Sequence, residues 1–314
     1  MTNSLSGKLI TIFGGGGFLG HYVAQALLER GARLRIASRN PEKSFALKAL
    51  ANLGHIQFVR CDINDAARVA LVASGSHSVI NLVGSFAGDQ MQLMGHAAGT
   101  VASAARQAGA SVLVHLSAIG ADAESDATYA RANALGEELV RKEFPKATIL
   151  RPSALFGSDD NFVNLFAGLI RILPIVPIFG PESKLQPCYV DDVAEAIALA
   201  VCDPQGHGGK TYELAGPEVI TMVEMHRRIA HAQGRHRKLL PLPDAASALI
   251  AALPATPINR DQWVMLKAGN VASGKLPGFK QLGIEPRPLG LFLDRWMIPY
   301  RKHGRFGRAD ATAG

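Results

Sequence analysis

Leu9–Phe13 is apolar but for Thr11, and the chain changes character immediately after it. Glycines recur at positions 14, 17 and 20, and apolar residues then return at Val23, Ala24, Leu27 and Leu28, the spacing of one helix face. This predicts a short buried strand, a tight turn, and a helix over Leu19–Arg30. The alternation continues. Strands are predicted over Arg33–Ser38, Ile56–Arg60, Ser78–Val83, Ser111–Leu116 and Ala147–Leu150. Helices are predicted from Pro41, which suits a first helical position, and over Ala66–Ala73, Met91–Ala108 and Tyr129–Phe144. Strands alternating with helices imply an α/β fold, a doubly wound parallel sheet with right-handed crossovers. Ligands of such sheets sit beyond the carboxyl ends of the strands, so the residues that close each strand are the candidates for chemistry.

Beyond Leu150 the regularity fades. The stretch Phe156–Pro187 is rich in proline and glycine, and Asp191–Val201 reads as a helix opened by two acids. The longest apolar run, Leu165–Gly180, is broken by Arg171, Pro174 and Pro177 and is too short to span a bilayer as a helix, so it reads as a buried or interface segment. From Asp203 onward the chain is loop-rich. The expected organisation is a dinucleotide-binding domain over 1–155, to which 186–203 returns, and a smaller lobe over 156–314 with a basic tail. Residues 309–314 read as a frayed end.

Composition narrows the function. The 314 residues are 48% hydrophobic, enough for a proper core. Met1–Lys8 lacks the apolar core of a secretory signal, which predicts a cytoplasmic or matrix-side protein. Cys61, Cys188 and Cys202 are too scattered for a disulfide framework or a zinc site. His226 and His231 lie in a basic helical stretch and read as solvated. The net charge of +7 gathers late, at Arg227, Arg228, Arg235, His236, Arg237 and Lys238, then at Arg301, Lys302, Arg305 and Arg308. Such clusters suit an anionic membrane surface or an acidic protein face. No nucleic-acid motif with interleaved aromatics accompanies them, which argues against nucleic acid.

The glycine turn has a direct physical reading. Gly14 permits a sharp turn, Gly17 lets a pyrophosphate approach the backbone, and Gly20 lets the helix pack on the strand. With Phe18 and Leu19 they open a helix whose free N–H groups favour phosphate. This is a Rossmann-type cradle. About twenty residues on, an acid would bind the ribose diol of NAD(H). The chain has Ser38 and Arg39 there, with Lys43 a turn later. Cations match a 2′-phosphate, so NADP(H) is expected over NAD(H). Asp62 is placed to accept the adenine amino group, with Ile63 against the ring. Leu82, Val83 and Gly84 follow the fourth strand, Ser117 the fifth, and Arg151-Pro152 the sixth, while Tyr129 opens a helix.

These residues, with Gln186 to Val193, resemble the extended and atypical short-chain dehydrogenase/reductase superfamily. Arg260-Asp261-Gln262, Asn270-Val271, Leu282 to Pro286 and the stretch to Tyr300-Arg301 carry a closer resemblance, to the nucleotide-binding accessory subunits of respiratory complex I and their bacterial relatives. The resemblance implies a tightly held NADPH without turnover, and a place beside a membrane respiratory complex. It also implies that Arg151 and Pro152 belong to the cofactor site. The superfamily's enzymes use a serine, a tyrosine and a lysine four residues after the tyrosine. Ser117 and Tyr129 match the first two, but position 133 is Asn133. A nearby cation lowers a phenol pKa by about one to three units, so its absence leaves roughly ten- to a thousandfold less phenolate near neutral pH. Arg131 faces away from Tyr129 on a helix, whereas Asn133 is placed to hydrogen-bond the ribose. Two readings stand: a non-catalytic NADP(H)-binding subunit, and an active reductase, epimerase or dehydratase on a small nucleotide-sugar or quinone-related substrate, with Tyr129 as acid/base.

Overall fold

Runs of valine, isoleucine and leucine need cover on both faces, and the sheet they build is parallel throughout. In the computed structural model, which describes residues 4–253, 258–302 and 304, the strands are β1 (Leu9–Phe13), β2 (Arg33–Ser38), β3 (Ile56–Arg60), β4 (Ser78–Asn81), β5 (Val112–Leu116), β6 (Thr148–Pro152) and β7 (Thr211–Leu214). They pair in the order β7-β6-β5-β4-β1-β2-β3. The chain winds outward from β1 to β3, then returns to β4 on the other side of β1. The crevice at that reversal is where such sheets bind ligands.

The flanking helices are α1 (Phe18–Leu28), α2 (Ala66–Ala73), α3 (Ala97–Gln107), α4 (Thr128–Glu143) and α5 (Val190–Cys202). A π-helical segment, Met91–His96, leads into α3. The segment Pro41–Leu50 is 3-10 helical; it buries only Ser44 and Leu47, too narrow a stripe to hold an α-helix against the sheet. Val69, Val79, Val101 and Leu113 are fully buried between the sheet and α2 and α3.

β7 was not legible. Thr-Tyr-Glu-Leu is short, polar at alternate positions, and set in a loop-rich stretch; its pairing with β6 defines it, Glu213 opposite Arg151.

The chain divides into two units. The first holds 1–152, 190–214 and 273–285, and the second 153–189, 215–272 and 286–314. These boundaries differ from the expected 1–155 with 186–203. Gln186 stays with the second unit because its carbonyl accepts from the Ser153 hydroxyl and its side chain bonds Gly216 O at 2.7 Å and Ala272 N–H at 3.1 Å. Ser273 returns to the first because Glu213 accepts both its N–H, at 2.6 Å, and its hydroxyl, at 2.8 Å.

In the second unit, helices Val163–Ile172 and Met222–Ala232 and the parallel strand pair Ile175–Ile178 and Lys238–Pro241 enclose Phe156, Phe166, Ile170, Val176, Ile178, Met225 and Ile229. The long apolar run is thus a helix to Ile172 followed by a strand over Ile175–Ile178. Asn259 and Gln262 form a capping box that starts helix Arg260–Ala268.

One expectation is corrected here. His226 is buried: its Nδ1 bonds Met222 O at 2.8 Å, its ring lies 4.5 Å from that of Phe166, and burial pulls its pKa down. Four arginines of the late basic cluster are committed within the chain. Arg228 pairs with Glu218 and Glu224, Arg235 donates to Tyr300 O, Arg237 to Ile170 O, and Arg301 to Ala232 O. These guanidiniums stitch segment ends together, while Arg227, His236, Lys238 and Lys302 are exposed. Arg305, Arg308 and the expected frayed end at 309–314 lie outside the described residues.

Candidate functional site

Beyond the carboxyl ends of β1, β2 and β4 lies a cleft of about 270 Å³. The glycine turn forms its base. Gly14 has φ +78°, and a Cβ there would lie 3.0 Å from Leu82 C and Val83 N, so only glycine lets the turn approach the end of β4 so closely. Gly17 is the N-cap of α1 and offers no side-chain cap, which leaves the first-turn N–H groups unserved. Phe13, Ile63, Leu82, Val83 and Leu93 supply apolar wall. Ser38, Arg39, Asn40 and Lys43 supply a polar, cationic end.

The polar groups at this end of the cleft fit a dinucleotide. Ser38 Oγ and Ser44 Oγ are buried without a hydrogen-bond partner among the described residues. A Cβ on Gly16 would lie 2.5 Å from Ser44 Oγ and 3.4 Å from Ser38 Oγ. A bare turn, an uncapped helix N-terminus, two cations and the orphaned Ser38 hydroxyl suit a phosphorylated ligand.

The cleft gathers Gly14, Gly17, Ser38, Arg39, Lys43, Ile63, Leu82, Val83 and Gly84 of the sequence-predicted set. It adds Gly16, Asn40, Cys61 and Ser85, which reasoning from strand ends alone passed over. Phe18, Leu19 and Gly20 lie behind it in the first turn of α1, where Leu19 is buried. Asp62 is exposed, and its Oδ1 accepts the Asn64 N–H at 3.0 Å.

Ser117, Tyr129, Asn133, Arg151 and Pro152 do not line the cleft. Ser117 and Arg151 instead meet a residue the sequence reading missed, Glu137, buried on α4. Glu137 Oε1 accepts from Ser117 Oγ at 2.6 Å and Arg151 Nε at 2.7 Å. Oε2 accepts from Arg151 Nη2 at 2.8 Å and Arg141 Nη2 at 3.0 Å. Burial pushes this carboxyl up, but the hydrogen bonds from Arg151 and Ser117 and the neighbouring cations outweigh burial and hold it below the ordinary carboxylate range. Arg151, expected at the cofactor, is instead spent on Glu137. A signal was available: Tyr129, Asn133 and Glu137 recur every four residues and so share one face of α4.

Asn133 is also committed inward, its Nδ2 donating to Tyr129 O at 2.8 Å rather than reaching for a ribose. Phe86 stacks on the Tyr129 ring at 4.2 Å and 15°. Burial raises the Tyr129 phenol pKa, with the Asn133 side chain pulling it partly back. A general acid/base needs the opposite shift.

His115, buried at the centre of the sheet, is held by burial at a pKa of about 4, against an ordinary 6.5. It is neutral in the folded protein at neutral pH. The unfolded chain takes up this proton first, so the contribution is complete above pH 6.5 and is lost as the pH falls toward 4, and the lowered pKa of His226 acts in the same direction. Urea unfolding between pH 7 and pH 5 is expected to show stability falling by about 1–2 kcal/mol per unit below pH 6. A flat profile there would contradict neutral burial.

A parallel doubly wound sheet with a glycine turn and a phosphate-suited cleft defines an NAD(P)-binding class of protein. A family model described as the NAD dependent epimerase/dehydratase family matches residues 10–215, and the chain belongs to that family. More particularly, the chain is similar to the mitochondrial NADH dehydrogenase (ubiquinone) 1 alpha subcomplex subunit 9. It is 31% identical to the Arabidopsis thaliana protein over 96% of this chain and 80% of that one. It is 33% identical to the Dictyostelium discoideum protein over 74% of this chain and 66% of that one. Among solved structures, the NADPH-dependent quinone oxidoreductase of Escherichia coli complexed with NADPH superposes with a TM-score of 0.73 at 24% identity, covering 91% of this chain and 99% of that one, a likeness of fold.

Proposed function

We propose that the chain holds NADP(H) as a retained structural cofactor and serves as an accessory subunit of a membrane NADH:ubiquinone oxidoreductase, on its matrix or cytoplasmic side. One observation carries the cofactor reading: two cations, Arg39 and Lys43, line the cleft at the end of β2 with Ser38, whose buried hydroxyl has no hydrogen-bond partner among the described residues. A 2′-phosphate is the group that uses all three. Arg39 and Lys43 would hold that phosphate, the first turn of α1 the pyrophosphate, and Ile63 with Leu82 the adenine. When bound, the cofactor supplies hydride chemistry. Retention without turnover is supported by the commitment of Ser117 to Glu137, the inward Asn133 amide, and the Phe86 ring over Tyr129. The accessory-subunit reading is supported by the similarity to subunit 9 proteins over most of the chain. No helix of the described residues is long and apolar enough to cross a membrane, so attachment would be peripheral.

The test is release on denaturation. Full-length protein is purified without added nucleotide, dialysed, unfolded, and the supernatant identified by mass spectrometry. NADPH in near-equal amount to protein is expected. Arg39→Ala or Lys43→Ala should each weaken NADPH about tenfold or more while leaving NADH binding nearly unchanged. An empty protein that also binds none, or release of NADH, would overturn the reading.

A further inference from the structure

β4 ends at Asn81, and the chain turns helical again at Gln90. Both ends of the segment between them are fixed. Asn81 Oδ1 accepts the Val83 N–H at 3.2 Å, and Asp89 Oδ1 accepts the Gln92 N–H at 3.0 Å. The middle, Gly84–Gly88, is held more loosely. The Ser85 N–H reaches the Met94 thioether at 3.5 Å, and the Phe86 carbonyl accepts from Gln90 Nε2 at 3.2 Å. The Ser85 hydroxyl bonds within the loop, to Ala87. Gln90 is buried, and its Oε1 has no hydrogen-bond partner among the described residues, so this anchor is only half satisfied. Gly84, Phe86, Ala87 and Gly88 are exposed, and Gly88 has φ +78°. A glycine-flanked segment with few bonds between two fixed ends has the make-up of a hinged lid.

Phe86 is the large side chain that this segment carries. Gly84 and Ser85 line the cleft, and Phe86 follows them directly. Its ring lies flat on the Tyr129 ring, at 4.2 Å and 15°, yet it is 42% exposed. Beneath it the floor is tightly packed: the Met91–His96 segment presses on α4, where a Cβ on Gly95 would lie 2.7 Å from Leu135 Cδ2.

We propose that Gly84–Gly88 is a lid on the cleft, with Phe86 as the ring that shuts it, and that its opening sets the rate of dinucleotide exchange. The order of groups along the cleft carries the assignment. With a 2′-phosphate at Arg39 and Lys43 and the pyrophosphate at the first turn of α1, the rest of a dinucleotide runs on along Val83, Gly84 and Ser85. Shut, the Phe86 ring takes the face of Tyr129 and bars that end to entry and exit; open, it frees both. A stacked ring pair biases such an equilibrium about two- to tenfold, so the lid rests closed and still opens. The exchange role rests on the cofactor reading above, whereas the covering of Tyr129 does not.

Two measurements on the full-length protein test this. The first reads Tyr129 directly, by nitration with tetranitromethane and peptide mass spectrometry, with buried Tyr212 as the internal reference. Tyr129 in Phe86→Ala is expected to nitrate about three- to tenfold faster than in the parent. Phe86→Leu, which keeps bulk without a ring, should fall between them. The second is a chase, in which protein loaded with NADPH is mixed with excess NADP+ and the fluorescence of bound NADPH is followed. Phe86→Ala is expected to release NADPH about three- to tenfold faster. Phe86 is an exposed loop residue, and an unchanged urea midpoint would show that both variants keep the fold. Equal nitration of Tyr129 in the parent and Phe86→Ala would overturn the lid. So would an unchanged chase rate in a protein that holds NADPH. If no form holds NADPH, the cofactor reading falls and the exchange role with it, while the nitration rates still decide whether Phe86 covers Tyr129.

Discussion

Glu137→Ala is expected to lower stability by about 3–5 kcal/mol, because removing one partner of a buried ion pair strands the other. Arg151 would lose both of its charge-assisted hydrogen bonds, at 2.7 and 2.8 Å, and Ser117 its only recorded acceptor, at 2.6 Å. The Glu137–Arg151 pair links α4 to β6, and Glu213 on β7 lies opposite Arg151 in register. Two further substitutions separate charge from packing. Glu137→Gln keeps the acceptor for Ser117 but leaves Arg151 uncompensated, so its loss should be intermediate. Glu137→Leu with Arg151→Met removes both charges together and should recover much of the alanine loss. Urea midpoints at neutral pH check the series. A loss below about 1 kcal/mol in Glu137→Ala would mean that water reaches the arginine and that the pair is not a sealed one.

Gly20→Ala is expected to cost about 2–3 kcal/mol and to empty the cofactor cleft. A Cβ at Gly20 would lie 2.4 Å from Gly15 O and 2.6 Å from Gly15 C. Those are backbone atoms of the turn itself, so no side chain can swing aside. Relief requires α1 to move off β1 or the turn to open, and either change displaces the unserved N–H groups at the start of α1. The same denaturation-release measurement reads the outcome: little or no nucleotide with the variant, against near-equal amounts with the parent. Full retention by Gly20→Ala would show that the turn relaxes without cost and would weaken the claim that this turn holds the phosphates. Gly54→Ala serves as a control: it also replaces a glycine, here at φ +82°, but a Cβ there has no neighbour within 4 Å. Only a modest loss from backbone strain is expected there, with nucleotide retained.

Much of the first unit was legible because local chemistry and fold agree there. The run Leu9–Phe13, the glycines after it and the apolar stripe of α1 each specify their own element, and six of the seven sheet strands carry their own apolar signal. Ser38, Arg39 and Lys43 could be assigned to one end of the cleft because a strand end and the turn after it are fixed by nearby residues. What the sequence could not supply was the pairing of distant polar groups. Ser117, Glu137 and Arg151 come from β5, α4 and β6, and Glu137 is twenty residues from Ser117 and fourteen from Arg151. That a matching hydroxyl and guanidinium face the same buried carboxylate is decided by how helix and sheet pack. His226 followed the same logic: its basic neighbours suggested water, and the Phe166 ring and the Met222 carbonyl excluded it. In the second unit short strands gain meaning only from their partners, as Lys238–Pro241 does from Ile175–Ile178. The sequence by itself therefore determined the parallel sheet, the glycine cradle and the cationic end of the cleft, since each is written in residues within one turn or strand of one another. Only the tertiary structure decided which buried charges meet, which cations are spent on carbonyls, and which ring covers Tyr129, because those depend on long-range contacts that no local pattern encodes.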